Sequence, residues 1–273
     1  MGIVNVTPDS FSDGGRRLTL DAALAHARRL IADGAEMLDI GGESTRPGAE
    51  PVPAAEEQAR VVPLIEALRA ETAVPLSVDT MKPEVARAAV AAGAAIWNDV
   101  TALAYAPDSL AAAAGLGCDV VLMHMQGEPR SMQQAPRYDD VVAEVCAALA
   151  ERAALAMAAG VARERIWLDP GVGFGKHRTR HNLPLLAGLA QVTALGFPVL
   201  LGASRKSFIG AVDPRSTGPE DRLGGSIAAA LAGAAAGVAA VRVHDVRETR
   251  QALAVQHAIA GAGAADFTLH TDD

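Results

Sequence analysis

Between Leu200 and Ile209 the chain reads Leu-Leu-Gly-Ala-Ser-Arg-Lys-Ser-Phe-Ile, an apolar run followed by a turn that brings Ser204, Arg205, Lys206 and Ser207 to the start of a helix. Unpaired N–H groups at a helix N-terminus, a lysine and a hydroxyl together make an anion site. The lysine is informative in a second way. The chain has three lysines, Lys82, Lys176 and Lys206, against twenty-one arginines. A lysine kept beside an arginine points to a task that a compact ammonium performs and a planar fork does not. Other apolar runs close on polar residues too: Asn5, Asp39, Asp79, Asn98 with Asp99, His124, Asp169, and Arg242 with His244. Asp79, Asn98 and Asp169 are rich in acceptors and suit the edge of a flat heterocycle bearing several N–H donors. Arg242, His244 and Asn5 suit a phosphate group and its magnesium. The bland alternative is that each Asp or Asn caps the helix that follows it.

The elements that must carry these residues alternate regularly. Strands are expected at Gly2–Val6, Met37–Ile40, Leu76–Val78, Ala95–Asn98, Val120–Met123, Ile166–Leu168, Val199–Leu201 and Val241–Val243. Helical patterns lie near Asp21–Ala32, Ala54–Ala70, Pro83–Ala92, Ser109–Gly115, Asp139–Ala159, Leu183–Leu195, Arg222–Ala236 and Val246–Ala260. Strict alternation of strand and helix means a parallel sheet with helical crossovers. Eight such units suit a closed (β/α)8 barrel of the α/β class, and a doubly wound open sheet is the alternative. With no linker and no low-complexity stretch, residues 1–273 read as one domain. In such a barrel the C-terminal strand ends form the active rim, which is where the polar residues fall. Strands eight and one become neighbours on closure, so Arg242, His244 and Asn5 meet.

Composition narrows the function classes. Half of the residues are hydrophobic and 3% are aromatic, so the core is aliphatic. A net charge of −8 argues against nucleic acid as the main partner and makes any anion site local. Cys118 beside an apolar run and Cys146 in a helical pattern offer neither a disulfide framework nor metal-ligand spacing; reduced thiols in a cytoplasmic protein are expected. The N-terminus lacks a basic region followed by an apolar stretch, so no signal peptide is expected. Leu223 to Val241 carries no charge, but its Ala and Gly content and the break at Gly237 read as a buried helix and a strand rather than a membrane span.

Two loops after the first two strands, Thr7 to Gly15 and Gly41 to Gly48, are rich in Gly, Ser, Thr and Pro. They are expected to close over the rim, with Phe11, Asp13, Thr45 and Arg46 as their functional residues. Lys176-His-Arg-Thr-Arg-His181 is read as a solvated basic loop, with attraction of anionic substrates as a second reading.

The chain resembles the dihydropteroate synthase family. The resemblance is carried by Asn5-Val-Thr-Pro-Asp-Ser-Phe-Ser-Asp-Gly-Gly, Asp39-Ile-Gly-Gly-Glu-Ser-Thr-Arg-Pro-Gly, Ser77-Val-Asp-Thr, Asn98-Asp99, Leu122-Met-His-Met, Asp169-Pro-Gly-Val-Gly-Phe-Gly-Lys, Gly202-Ala-Ser-Arg-Lys-Ser and Arg242-Val-His-Asp. It implies a (β/α)8 barrel that condenses 7,8-dihydropterin-6-ylmethyl diphosphate with para-aminobenzoate, releasing diphosphate. By resemblance Asp79, Asn98, Asp169 and Lys206 hold the pterin, and Thr45 and Val243 join that subsite. Arg242 stacks on the ring and meets the diphosphate with His244, and Asn5 holds Mg2+. Phe11, Pro47 and Ser207 belong to the para-aminobenzoate side, while Asp13, Thr45, Arg46, Asp79 and Lys206 are the expected catalytic set. A homodimer is implied as well. Family members usually carry a short hairpin before the first strand, whereas Met1 here stands almost on that strand, which bears on stability rather than on the opposite rim.

Two rivals remain. A methyltransferase that uses methyltetrahydrofolate and a corrinoid protein shares a pterin-reading barrel but needs no diphosphate site, and the Ser-Arg-Lys-Ser and Arg-Val-His segments count against it. A non-catalytic pterin-binding relative is disfavoured by the intact loops and strand ends.

Overall fold

The computed structural model describes residues 1–6, 16–44, 49–128 and 131–264. Its strands are β1 (Gly2–Asn5), β2 (Leu38–Gly41), β3 (Leu76–Asp79), β4 (Ile96–Asp99), β5 (Asp119–Met123), β6 (Ile166–Asp169), β7 (Leu200–Leu201) and β8 (Ala240–Val241). The first six form a parallel sheet in sequence order, and β7 pairs with β8. Two parallel bridges close the ring: Leu168 to Val199 joins β6 to β7, and Gly2 to Val243 joins β8 to β1. At the second seam Ile3 N–H donates to Val243 O at 3.1 Å and Val243 N–H to Met1 O at 2.9 Å. That closure removes the open-sheet alternative. The fold is a single-domain (β/α)8 barrel.

The strands are short and buried on both faces, as parallel strands under helices must be. Side chains alternate between the faces. The outward set includes Leu38, Ile40, Leu76, Val78, Trp97, Val120, Leu122, Ile166 and Leu168, all in the main core against the helices. The inward set divides by height. Ile96, Val121 and Leu200 form a small separate cluster with Met1, Met37, Trp167 and Ala240 packed on it. Two residues further along the same strands the inward positions are Asn98 on β4, Met123 on β5 and Asp169 on β6, with Arg242 following β8. An apolar plug below and polar groups above thus follow from strand periodicity alone.

The helices are α1 (Arg16–Ala32), α2 (Ala54–Glu71), α3 (Pro83–Ala91), α4 (Ser109–Leu116), α5 (Val141–Ala158), α6 (Asn182–Ala187), α7 (Leu189–Thr193), α8 (Ser207–Val212), α9 (Leu223–Ala235) and α10 (Val246–Ala264). In α2 the buried residues Val61, Leu64, Ile65 and Leu68 fall at i, i+3, i+4 and i+7, the stripe that faces a sheet. Burial of each large aliphatic side chain contributes about 1.5–3 kcal/mol. Helix α5 is capped by Asp140, whose carboxylate accepts from Val142 N–H at 3.0 Å and Ala143 N–H at 3.1 Å. The helix expected over Leu183–Leu195 is instead two, broken at Gly188, where a Cβ would approach Val142 Cγ2 to 2.7 Å. The break lets the chain pass close to α5. The uncharged Leu223–Val241 segment is α9 followed by β8, and no described helix is long and apolar enough to cross a membrane.

Candidate active site

Asn5, Asp79 and Asp169 close their strands, Asn98 stands one residue before the end of β4 and Arg242 follows β8 directly, so one rim of the barrel collects them. Arg242 spans the mouth. Its Nε donates to Asp39 Oδ2 at 2.5 Å and its Nη2 to Asp79 Oδ2 at 2.8 Å, tying β8 to β2 and β3. Asp39 is fully buried; it also accepts from Ser77 Oγ at 2.6 Å and from Asn98 Nδ2 at 3.1 Å. It therefore fixes both the guanidinium and the amide.

Asp79 is satisfied on one side only. Its Oδ1 is buried and meets no donor, so a polar group at the centre of the rim awaits one. Burial pushes the Asp79 carboxyl up to about 7; Arg242 opposes the shift and the Asp39 charge reinforces it. Asp169 accepts the Gly171 N–H at 2.7 Å. Burial pushes its carboxyl up too, against the Gly171 hydrogen bond and the charges of Lys206, Arg242 and Lys176. The Lys206 ammonium lies 4.0 Å from the centroid of the Phe174 ring, a cation–π contact on the Asp169 side of the rim. On the other side, His244 Nδ1 is 3.0 Å from Ser204 Oγ.

The Ser-Arg-Lys-Ser segment divides its labour. Arg205 turns away from the rim and forks onto Asp245, with Nε to Oδ2 at 3.0 Å and Nη2 to Oδ1 at 2.5 Å. Its φ of 57° is left-handed, a costly conformation for arginine. Ser226 Oγ, 2.8 Å from its N–H, and Arg222 Nη1, 2.9 Å from its carbonyl, hold it there. Ser207 is exposed at the first position of α8. That helix has only six residues, so its dipole is smaller than a full helix would give.

Val243 is turned outward into the helix-facing core, and its backbone N–H and C=O both pair with the first strand. It serves the site by setting Arg242 and His244 on the inward side. Asp39 stood among the polar strand ends in the sequence but without a role; its partner Arg242 lies 203 positions away, beyond any local signal. The basic segment also differs from expectation, because Lys176 is fully buried while His177, Arg178 and Arg180 are exposed. Phe11, Asp13, Thr45, Arg46 and Pro47 lie outside the described residues. A cavity of about 660 Å3 is walled by Glu43, Ser44, Met81, Met123, His124 and Arg152, and none of Asn5, Asp79, Asn98, Asp169, Lys206 and Arg242 lines it.

Residues 1–244 match the family model described as pterin binding enzyme. The dihydropteroate synthase of Escherichia coli strain K12 is 50% identical over 262 residues, covering 96% of this chain and 92% of that protein. This chain belongs to the dihydropteroate synthase family. The solved dihydropteroate synthase of Xanthomonas albilineans with 4-aminobenzoic acid superposes with a TM-score of 0.89 at 56% identity, covering 95% of this chain and 92% of that one. A second structure of that organism's enzyme, in complex with 7,8-dihydropteroate, has a TM-score of 0.85 at 53% identity, with the same coverage of both chains. Dihydropteroate synthases are transferases of folate biosynthesis, and the closed barrel with its polar rim is the frame on which this chain carries that chemistry.

Proposed function

We propose that this chain condenses 7,8-dihydropterin-6-ylmethyl diphosphate with para-aminobenzoate through the rim described above, with Asp79, Asn98, Asp169 and Lys206 holding the pterin. The observation that carries the assignment is Asp79 Oδ1, a buried carboxylate oxygen without a donor. A donor-rich ring edge supplies what that oxygen lacks, and Asn98 and Asp169 extend the same edge.

The reaction breaks the carbon–oxygen bond between the pterin methylene and diphosphate, forms a carbon–nitrogen bond to the aromatic amine and releases one amine proton. Positive charge grows on the pterin methylene as the C–O bond lengthens, and negative charge grows on the leaving diphosphate. Asp79 and Asp169 face the first; Arg242 and His244 face the second. An aromatic amine is neutral near pH 7, so no strong base is required and catalysis rests on charge placement and orientation. Arg242 stacks on the ring and meets the diphosphate once the incoming substrate competes for its present carboxylate partners. Ser207, exposed beside Lys206, receives the carboxylate of para-aminobenzoate. Phe11, Asp13, Thr45, Arg46 and Pro47 complete that side from the two long loops.

A magnesium ion fits as a passenger of the diphosphate. Among the described residues no group of three or more His, Cys, Asp or Glu side chains gathers to hold a metal. One neutral oxygen from Asn5 is what a hard cation coordinated mainly by phosphate and water requires. Asn5 would hold it, and when bound it neutralises charge on the departing diphosphate. The whole chain acts as one domain, in the cytoplasm and as a homodimer.

The test is diphosphate release by the purified protein with both substrates and Mg2+. Release that depends on para-aminobenzoate is expected. Methyl transfer from methyltetrahydrofolate, or pterin binding without release, would overturn the assignment.

A further inference from the structure

Lys176 closes the Asp169-Pro-Gly-Val-Gly-Phe-Gly-Lys run and is 1% exposed. Its ammonium is met by main-chain carbonyls and a ring nitrogen: Gly171 O at 3.0 Å, Phe174 O at 3.0 Å, His124 O at 3.2 Å and His124 Nδ1 at 2.8 Å. Four acceptors converge on a group with three donors. The other buried lysine, Lys82, is held differently, by the carboxylates of Glu43 and Glu57.

The acceptors lie on both sides of a seam. His124 follows β5, whereas Gly171 and Phe174 follow β6. The two backbones approach so closely that a Cβ at Gly171 would fall 1.9 Å from His124 O, and one at Gly175 would fall 2.2 Å from Gln126 O. Both glycines have positive φ, 66° and 56°. Two carbonyls that meet Lys176 come from residues that touch the rim. Gly171 donates its N–H to Asp169 Oδ1 at 2.7 Å, and the Phe174 ring lies beneath the Lys206 ammonium.

We propose that Lys176 is a positioning residue of the pterin subsite: by tying His124, Gly171 and Phe174 together it fixes the two residues that in turn fix Asp169 and Lys206. The inference rests on the functional reading above. Burial, reinforced by Lys206 and opposed by Asp169, brings the Lys176 ammonium down to about 7. Burial together with the Lys176 charge brings His124 down to about 3, leaving its ring neutral at working pH. Further titratable neighbours are Tyr138, whose ring centroid is 6.1 Å from that of His124, and His181, whose ring is 4.8 Å from that of Tyr138 and which burial, with help from the Lys176 charge, holds low.

Lys176→Met keeps an unbranched apolar stem as far as Cε and removes all three donors. Calorimetry with a pterin that lacks the diphosphate should show affinity at least tenfold weaker than wild type, while KM for para-aminobenzoate stays within twofold. A role in packing alone would lower thermal stability without that split. A second measurement needs no variant. In the unmodified protein at pH 6, 15N NMR should find the His124 ring proton on Nε2, because a charged Lys176 occupies Nδ1. Pterin affinity of Lys176→Met within twofold of wild type, or an Nδ1-protonated His124 at pH 6, overturns the inference alone. A wild-type chain that binds no pterin overturns the inference and the functional reading together.

Discussion

Replacement of Arg242 by Met should weaken pterin binding in a way that alkaline pH repairs. Arg242 donates to Asp79 Oδ2 at 2.8 Å and holds down a carboxyl that burial has pushed up to about 7. At pH 7.5 roughly three-quarters of that carboxyl is ionised and able to accept two N–H donors. A charge-assisted hydrogen bond at such a site contributes about 1.5–3 kcal/mol, or roughly one to two pKa units when lost. The midpoint then moves to about 8–9, and the ionised fraction at pH 7.5 falls by roughly three- to twenty-five-fold. The sign follows from the acceptor role: protonation puts a hydrogen where the ligand needs a lone pair, so affinity is lost as pH falls through the carboxyl pKa and regained above it.

The assay is calorimetric titration with a pterin lacking the diphosphate, between pH 6 and 10, for wild type, Arg242→Met and Arg242→Lys. Arg242→Lys should lie between the other two, because an ammonium retains charge without the fork that reaches Asp39 and Asp79 at once. Loss of ring stacking alone would displace the whole curve without moving its midpoint. Parallel curves with one midpoint would therefore refute the claim that Arg242 tunes Asp79.

Three further outcomes are expected. Asp169→Asn should lose about 2–4 kcal/mol of pterin affinity by calorimetry with an unchanged circular dichroism spectrum, since an amide replaces a buried charged acceptor. Lys82→Met should cost about 3–5 kcal/mol in denaturant unfolding, because it strands the buried carboxylates of Glu43 and Glu57 that flank it; a double replacement that also makes Glu57 apolar should recover much of the loss, and no recovery would refute that account. The loops that carry Phe11 and Thr45 are rich in Gly, Ser and Pro, so para-aminobenzoate should bind after pterin diphosphate; equal affinity of para-aminobenzoate for the free enzyme and for the enzyme loaded with diphosphate and Mg2+ would refute the order.

The barrel was legible because its units repeat and because strand ends are where hydrogen-bonding residues concentrate. Asp79, Asn98 and Asp169 could be placed on one rim from strand positions before any contact was known, and the structure puts them there. Element ends were less legible. The split between α6 and α7 at Gly188 reflects tight packing against Val142, a contact from another helix that no local pattern encodes. The same limit explains Asp39. Its sequence neighbourhood marks it as polar, but its work is done on Arg242 and Asn98, which arrive by way of the closed ring.

Lys176 shows why spacing could name the motif and still misread its last residue. A lysine followed by His-Arg-Thr-Arg reads as the start of a solvated run, since charged neighbours usually share exposure. What reverses the reading is the path of the backbone. Gly171, Gly173 and Gly175 all take positive φ, and the turns they allow carry residue 176 under its own loop rather than outward. The charge is then satisfied by carbonyls that point inward, one from residue 171, one from residue 174 and one from across the seam at residue 124. Composition reports how polar a segment is; only the backbone path reports which side of it the chain spends its donors on.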